Sequence, residues 1–127
     1  MLSKGPIPRI VHGMLEYVAG VLLLAGPWLF DYDESSATAA SIVAGVLILA
    51  FVATTEGKPG LVDSIPVSVH ATLDYVVAAL LIAAPFVFGF SDDGEPTALF
   101  VAGGVLHVLV SIGTRYAARV DRPGVAV

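Results

Sequence analysis

Apolar residues dominate four long stretches of the chain, and polar residues gather in the short segments between them. The stretches cover residues 7–30, 37–55, 65–88 and 97–116. Runs of about 20 apolar residues are long enough to cross a bilayer core of about 30 Å as α-helices. A soluble helical bundle keeps a polar face on each helix, whereas long parts of the first and third stretches carry no charge on any face. The pattern therefore predicts four transmembrane helices.

The pattern occurs twice, at a shift of 58 positions and without a gap. The aligned identical residues include Ile7-Pro8 with Ile65-Pro66, Val11-His12 with Val69-His70, Tyr17-Val18 with Tyr75-Val76, Pro27 with Pro85, and Val43-Ala44-Gly45 with Val101-Ala102-Gly103. Because each copy contains an even number of spans, both copies enter the membrane in the same direction. We therefore expect an all-α membrane protein of two parallel tandem helical hairpins, related by a pseudo-two-fold axis along the membrane normal.

This organisation predicts a single integral membrane domain over residues 1–127. Repeat one occupies residues 7–57 and repeat two occupies residues 65–116, each with two spans. Residues 58–64 form the linker, and residues 117–127 form a tail. The composition agrees, with 57% hydrophobic residues, 13% charged residues and a mean hydropathy of +0.89. The first apolar run is too long for the core of a signal peptide, so we expect it to be retained as the first span.

The charged residues predict the orientation of the chain. The six basic residues lie in the two terminal tails and the linker: Lys4, Arg9, Lys58, Arg115, Arg119 and Arg122. The other two loops contain acidic residues only: Asp31, Asp33, Glu34, Asp92, Asp93 and Glu95. Since basic residues stay on the cytoplasmic side, we expect a multi-pass protein of the cell membrane with both termini and the linker in the cytoplasm. The acidic loops should face outward as solvated charge.

Small residues four positions apart predict where the helices pack, because close backbone approach drives helix association in lipid. The pairs are Ala40 with Ala44, Ser41 with Gly45, and Ala98 with Ala102, the last beside Gly103 and Gly104. We expect these residues to pack within each hairpin. Because four helices bury little of their own surface, we also expect a homo-oligomer or a subunit of a larger membrane complex.

A proline followed by an aromatic residue lies near the end of the first and third apolar stretches, as Gly26-Pro27-Trp28 and Ala84-Pro85-Phe86. Proline lacks a backbone donor and clashes with the preceding turn, so each helix should kink or end there. This motif, repeated in tandem in a small membrane protein, resembles the SPW repeat proteins over about residues 7–116, with glycine or alanine in place of the serine and Phe86 in place of the second tryptophan. The resemblance implies a polytopic membrane protein and brings no established activity.

Ionisable residues within the predicted spans are the candidate functional site. The first helix carries His12 and Glu16, and the third carries His70 and Asp74. A spacing of four places each pair on one helix face. The fourth helix adds His107, about 12 Å from the cytoplasmic edge and near the depth of the two carboxylates. No Lys or Arg lies at this depth, and isolated charges there are unfavourable by several kcal/mol each, so the groups must pair, protonate or bind a ligand.

Three interpretations of these residues stay open. In the first, His12 bonds Asp74 and His70 bonds Glu16, or each pair closes within its own helix, as a polar clasp that joins the repeats of a non-enzymatic accessory module. In the second, all five side chains are ligands of Zn, Fe, Mn or Cu, with axial haem ligation by His12 and His70 as a variant. In the third, the cluster belongs to a proton or cation pathway. In the ungapped alignment the counterpart of His107 is the apolar Leu49.

Several other classes of function are disfavoured by the sequence. The chain contains no cysteine, which excludes disulfides, thiolate metal sites and thiol redox chemistry. A net charge of −5 and the absence of a basic patch argue against nucleic-acid binding. No phosphate loop or nucleophile–base arrangement indicates an enzyme. The lipid bilayer is the one partner that composition alone predicts.

Overall fold

The computed structural model describes residues 5–115 of the chain. It contains α1 (Arg9–Leu29), α2 (Ser35–Ala53), α3 (Val67–Val87) and α4 (Gly94–Gly113). All four helices are long and apolar enough to cross a membrane. The prediction of an all-helical fold with four candidate spans is confirmed.

The helices form two hairpins, with α1 packed against α2 and α3 packed against α4. The strands β1 (Ile7–Pro8) and β2 (Thr114–Arg115) pair in parallel, and Thr55 forms a parallel bridge with Ile65. These contacts bring the start and the end of each hairpin to one end of the helices, here named the linker end. The two acidic loops lie at the opposite end. Lys4, Arg119, Arg122 and the tail 117–127 lie outside the described residues.

The two hairpins match at two different offsets. The first helices match at 58 residues, as predicted, so that the buried Leu23 corresponds to the buried Leu81. The second helices match at 59 residues: the buried positions Ala37, Ser41, Gly45 and Val52 correspond to the buried positions Pro96, Phe100, Gly104 and Ser111. The prediction of a repeat without a gap is therefore wrong, because the loop before α4 contains one extra residue.

The extra residue changes which faces of α4 are buried, because one residue turns a helix by about 100°. A Cβ atom on Gly45 would lie 2.7 Å from the carbonyl oxygen of Gly20, and one on Gly104 would lie 2.9 Å from that of Ala78. Small residues therefore do permit close packing within each hairpin. Ala98 and Ala102, predicted to pack there, are exposed on the outer face instead.

The two hairpins also differ in one pair of side chains near the acidic loops. Tyr32 hydrogen-bonds Ser41 in the first hairpin, with 3.3 Å between the two hydroxyl oxygens. The equivalent residues of the second hairpin, Phe90 and Phe100, pack edge to face at 5.2 Å between ring centroids. A polar pair and an aromatic pair thus occupy equivalent places. Each pair is matched within its own hairpin, so neither buries an unpaired hydroxyl.

One of the loop carboxylates is buried, contrary to the prediction that all of them are solvated. Asp93 is 4% exposed. Its Oδ2 atom accepts hydrogen bonds from the backbone N–H groups of Asp33 at 2.8 Å and Glu34 at 2.9 Å. These groups lie immediately before α2, where the helix dipole favours a negative charge. Asp93 therefore joins the two hairpins at the loop end.

Pro27 and Pro85 lie within their helices, and each helix ends two residues later. The prediction that the helices end near the prolines is confirmed to within these two residues. Trp28 is 72% exposed and Phe86 is 65% exposed. Both aromatic rings therefore lie on the outer surface, close to the acidic loops, where an interfacial belt is expected in a membrane.

Candidate functional site

Five ionisable side chains meet between the helices in the half of the bundle near the linker end. His12 and Glu16 come from the first two turns of α1, His70 and Asp74 from the equivalent turns of α3, and His107 from the last turns of α4. The first four residues are 3–6% exposed, and the side chain of His107 is 9% exposed. All five predicted site residues are therefore brought together, and we name them the His–carboxylate cluster.

Two histidines each lie between two carboxylates. The Nε2 atom of His12 is 2.7 Å from Oε1 of Glu16 and 3.2 Å from Oδ2 of Asp74. The Nε2 atom of His70 is 2.9 Å from Oε1 of Glu16 and 3.0 Å from Oδ1 of Asp74. The two pairings expected as alternatives, within a helix and between helices, therefore occur together. α1 and α3 are tied to each other by two of these four contacts.

His107 joins the edge of this arrangement. Its Nε2 atom is 3.2 Å from Oδ1 of Asp74, and its ring centroid is 5.7 Å from that of His12. Its structural counterpart in the first hairpin, at an offset of 59, is the buried Ile48 and not Leu49. The cluster therefore consists of four residues that repeat and a fifth that does not.

Two threonines that the sequence did not indicate hold the histidine rings. The Nδ1 atom of His12 is 2.7 Å from Oγ1 of Thr114, and that of His70 bonds Oγ1 of Thr55. Each hydroxyl also donates to the carbonyl four residues earlier, at 2.6 Å for Thr114 and 2.5 Å for Thr55. A hydroxyl has one proton, so it accepts from the ring. The Nδ1 atoms are thus protonated, and the Nε2 atoms face the carboxylates.

The threonines are reciprocal between the hairpins. Thr114 belongs to the second hairpin and bonds a histidine of the first, whereas Thr55 belongs to the first and bonds a histidine of the second. A signal for them does exist in the sequence, because Thr55 and Thr114 are 59 positions apart. The ungapped alignment places Thr55 on Gly113 and hides the equivalence.

The geometry permits two charge-balanced states of the cluster. Two ionised carboxylates can be balanced by two imidazolium rings, whose Nε2–H groups donate to Glu16 and Asp74. They can equally be balanced by one divalent cation, with neutral rings that keep Nδ1–H on the threonines. Donor atoms from His12, Glu16, His70 and Asp74 all lie within 4.8 Å of one another. Ligands at about 2.0–2.2 Å from a zinc ion lie at most about 4.4 Å apart, so small movements would close the set around a metal.

The linker covers the cluster at its end of the bundle. Tyr17 donates a hydrogen bond of 3.0 Å to the carbonyl of Pro59, and the ring of Pro59 packs so closely on Gly13 that a Cβ there would lie 2.5 Å away. A cavity of about 40 Å³ lies beneath, bounded by the linker on one side and by His12, Glu16 and His70 on the other. This volume holds a water molecule, so water or a small ion has a place beside the cluster.

Comparison with known proteins identifies a family. The model of the SPW repeat domain matches residues 10–114, and the chain belongs to the SPW repeat family. The resemblance noted in the sequence is therefore confirmed. No curated protein and no solved structure matches the chain. Family and structure together fit a small multi-pass membrane protein with a buried cluster of histidine and carboxylate side chains.

Proposed function

We propose that this SPW repeat protein is a non-enzymatic accessory module of the cell membrane, in which the His–carboxylate cluster fastens the two hairpins together. The observation that carries the proposal is the set of contacts from His12 and His70 to both Glu16 and Asp74. Neither hairpin alone supplies all the hydrogen-bond partners of its own histidine, because each Nδ1 atom bonds a threonine of the other hairpin. The cluster therefore stabilises the association of the hairpins and selects one arrangement of them.

The proposed arrangement has the hairpins parallel in one integral membrane domain, related by a pseudo-two-fold axis along the membrane normal. Equivalent contacts support this arrangement, since β1 meets β2 at Ile7 and Thr114 as Ile65 meets Thr55. We further propose that the linker end faces the cytoplasm. Arg9, Lys58 and Arg115 lie there, and the acidic loops lie at the other end, as the positive-inside rule requires.

Association with other proteins is part of the proposal. Between 22% and 39% of the most apolar part of each span is buried within the chain. The remaining surface is available to lipid or to further helices, which supports a homo-oligomer or a subunit of a larger membrane complex. The accessory role would then consist of presenting a stable four-helix unit to such partners.

Removal of both carboxylates tests the clasp. We expect the double variant Glu16→Gln, Asp74→Asn to lose several kcal/mol of unfolding free energy, because breaking a buried, paired charge network typically costs about 3–5 kcal/mol. The measurement is unfolding in mixed micelles of mild detergent and dodecyl sulfate, followed by circular dichroism. The matched control is Asp92→Asn, Glu95→Gln, which neutralises two exposed acidic residues. Equal stability of the two double variants would contradict the clasp.

A second candidate function is the binding of one divalent transition metal, Zn, Fe, Mn or Cu, by the same cluster. The hydrogen bonds from Nδ1 to Thr55 and Thr114 favour it, since metal-ligating histidines characteristically donate their second ring N–H to a fixed acceptor. Axial haem ligation is not proposed, because the carboxylates of Glu16 and Asp74 occupy the space between the two rings. The proton or cation pathway stays a prediction.

Elemental analysis of the protein, purified without a histidine tag in mild detergent, tests the metal site. We expect about one metal per chain, lost in both His12→Ala and His70→Ala. Titration of the metal-free protein with zinc should release protons, because the ion replaces the protons that balance the carboxylates. A metal-free preparation that neither takes up zinc nor releases protons would exclude this function and leave the clasp unaffected.

A further inference from the structure

Two apolar grooves follow the outer surface where the hairpins meet. The groove between α1 and α4 has a volume of about 410 Å³, and the groove between α2 and α3 has a volume of about 520 Å³. Aliphatic side chains line most of both. The α1–α4 groove alone of the two also reaches ionisable groups, namely His12, Glu16 and His107. The grooves are therefore similar in size and different in chemistry.

One structural position contributes to this difference through a change of residue type between the hairpins. The residue at this position is Ile48 in the first hairpin and His107 in the second. Ile48 lines both grooves, whereas His107 lines the α1–α4 groove and not the α2–α3 groove. An imidazole where the repeat has an isoleucine is not required for helix packing, since Ile48 fills the same place without it. The histidine therefore has a role other than helix packing, and its contact with Asp74 engages only one of its two ring nitrogens.

His107 can accept one more hydrogen bond. Its Nε2 atom faces the carboxylate of Asp74. An ionised carboxylate only accepts hydrogen bonds, so Nε2 carries the proton and donates. In the neutral ring the other nitrogen, Nδ1, is then an acceptor, and within residues 5–115 the structure gives it no hydrogen bond. Only 9% of the side chain of His107 is exposed. An acceptor without a hydrogen bond, on a side chain that lines an apolar groove, is a feature expected of a ligand-binding site.

From these observations we infer that the α1–α4 groove binds a lipid-soluble molecule with a hydroxyl-bearing aromatic head and an aliphatic tail, the class of quinols and long-chain phenols. The head donates its hydroxyl proton to Nδ1 of His107. The tail lies along α4 from Leu106 toward Leu99, a length of about 12 Å between His107 and Leu99. The volume of the groove falls within the range of about 300–1,000 Å³ found for small-molecule sites.

The environment selects this class over other amphiphiles. His107 lies about 9 Å from the last residue of α4, which is deeper than the head group of a phospholipid. The ionised head of a fatty acid is an acceptor only, so it has no proton to donate to Nδ1 of His107. A phenolic head is neutral, largely apolar and a good donor, so it suits both the depth and the neighbouring carboxylates. This inference rests on the contact between His107 and Asp74 within the cluster and requires no metal.

Equilibrium binding of radiolabelled decylbenzoquinol to the protein in phosphatidylcholine nanodiscs tests the inference, with empty nanodiscs as the background. We expect saturable binding of one quinol per chain. Gly103 lines the groove, and a Cβ there would meet nothing within 4 Å. Gly103→Leu should therefore fill the groove without disturbing the helices and weaken binding at least tenfold. His107→Ile, which copies the other hairpin, should weaken it by a similar factor.

The matched control fills the other groove. Ala44 corresponds to Gly103 at the offset of 59 and lines the α2–α3 groove. Ala44→Leu should leave quinol binding unchanged. Decanoic acid, which has a tail of the same length and a different head, should not compete. The inference is overturned if binding does not exceed that of empty nanodiscs, if Ala44→Leu weakens binding as much as Gly103→Leu, or if decanoic acid competes as well as unlabelled quinol.

Discussion

The hydrogen bond from His12 to Thr114 can be removed with almost no change in shape. Valine matches the volume of threonine, so Thr114→Val deletes the hydroxyl and leaves the helix packing in place. The Nδ1–H group of His12 then loses the hydroxyl that accepts its hydrogen bond. Thr114 is 0% exposed and does not line the water-sized cavity beside the cluster, so the site of the lost hydroxyl is not reached from that cavity or from the surface. The perturbation therefore isolates the threonine's contribution to the His–carboxylate cluster.

The expected cost follows from the burial of the site. An unsatisfied buried donor costs about 1–3 kcal/mol, whereas hydrogen bonds between membrane helices average about 0.6 kcal/mol and reach about 1.7 kcal/mol. Full burial of Thr114 places this bond near the top of the second range. We expect Thr114→Val to lower the free energy of unfolding by about 1–2 kcal/mol. Thr55→Val should cost less, because Thr55 is only half-buried.

The assay is unfolding in mixed micelles with Thr72→Val as the control. The Thr72 hydroxyl also bonds the carbonyl four residues earlier, at 3.2 Å, but is exposed and touches no histidine. This control should change stability by less than about 0.5 kcal/mol, and Thr114→Ser should restore most of the loss. Nitrogen-15 shifts of labelled histidine should show Nδ1 protonated in the native protein. If Thr114→Val and Thr72→Val are equally stable, the assignment of the ring orientation is wrong.

Two further substitutions test the fold. Gly45→Ala and Gly104→Ala should each cost about 1–3 kcal/mol by overpacking, whereas Gly103→Ala should be neutral; the offset of 59 is wrong if Gly103 is the sensitive position in thermal unfolding. Asp93→Asn should cost about 1 kcal/mol, because it weakens charge-assisted hydrogen bonds at the start of α2. Asp92→Asn, which alters an exposed neighbour, should not change the thermal midpoint.

The sequence predicted the helices and the site residues well because both depend on local pattern. A span is an apolar run, and its ends in the structure lie within three residues of the predicted ends. His12 and Glu16 share a helix face because they are four residues apart, and the repeat places His70 and Asp74 on the equivalent face. Burial of these groups in an apolar bundle then forces them together. None of these steps requires knowledge of how the helices rotate.

The features that depend on rotation were not predictable in this way. A one-residue insertion in a loop leaves the apolar pattern of α4 unchanged but turns its faces by about 100°. The exposure of Ala98 and Ala102 and the part played by Thr114 both follow from that turn. The burial of Asp93 was missed for a related reason. Its neighbour Asp92 is the same residue type but is exposed, and the sequence does not distinguish the two.

The exchange of threonines between the hairpins has a consequence for the history and the engineering of this architecture. Each hairpin carries a histidine whose Nδ1 atom bonds a threonine of the other hairpin, and a threonine that bonds the other hairpin's histidine. Two identical hairpins could form the same pair of threonine–histidine hydrogen bonds with each other, so the interface of one hairpin is self-complementary. Tandem fusion makes that association intramolecular and frees the copies to diverge. The two hairpins of this chain differ at one such position, Ile48 in the first and His107 in the second, which two identical subunits could not do.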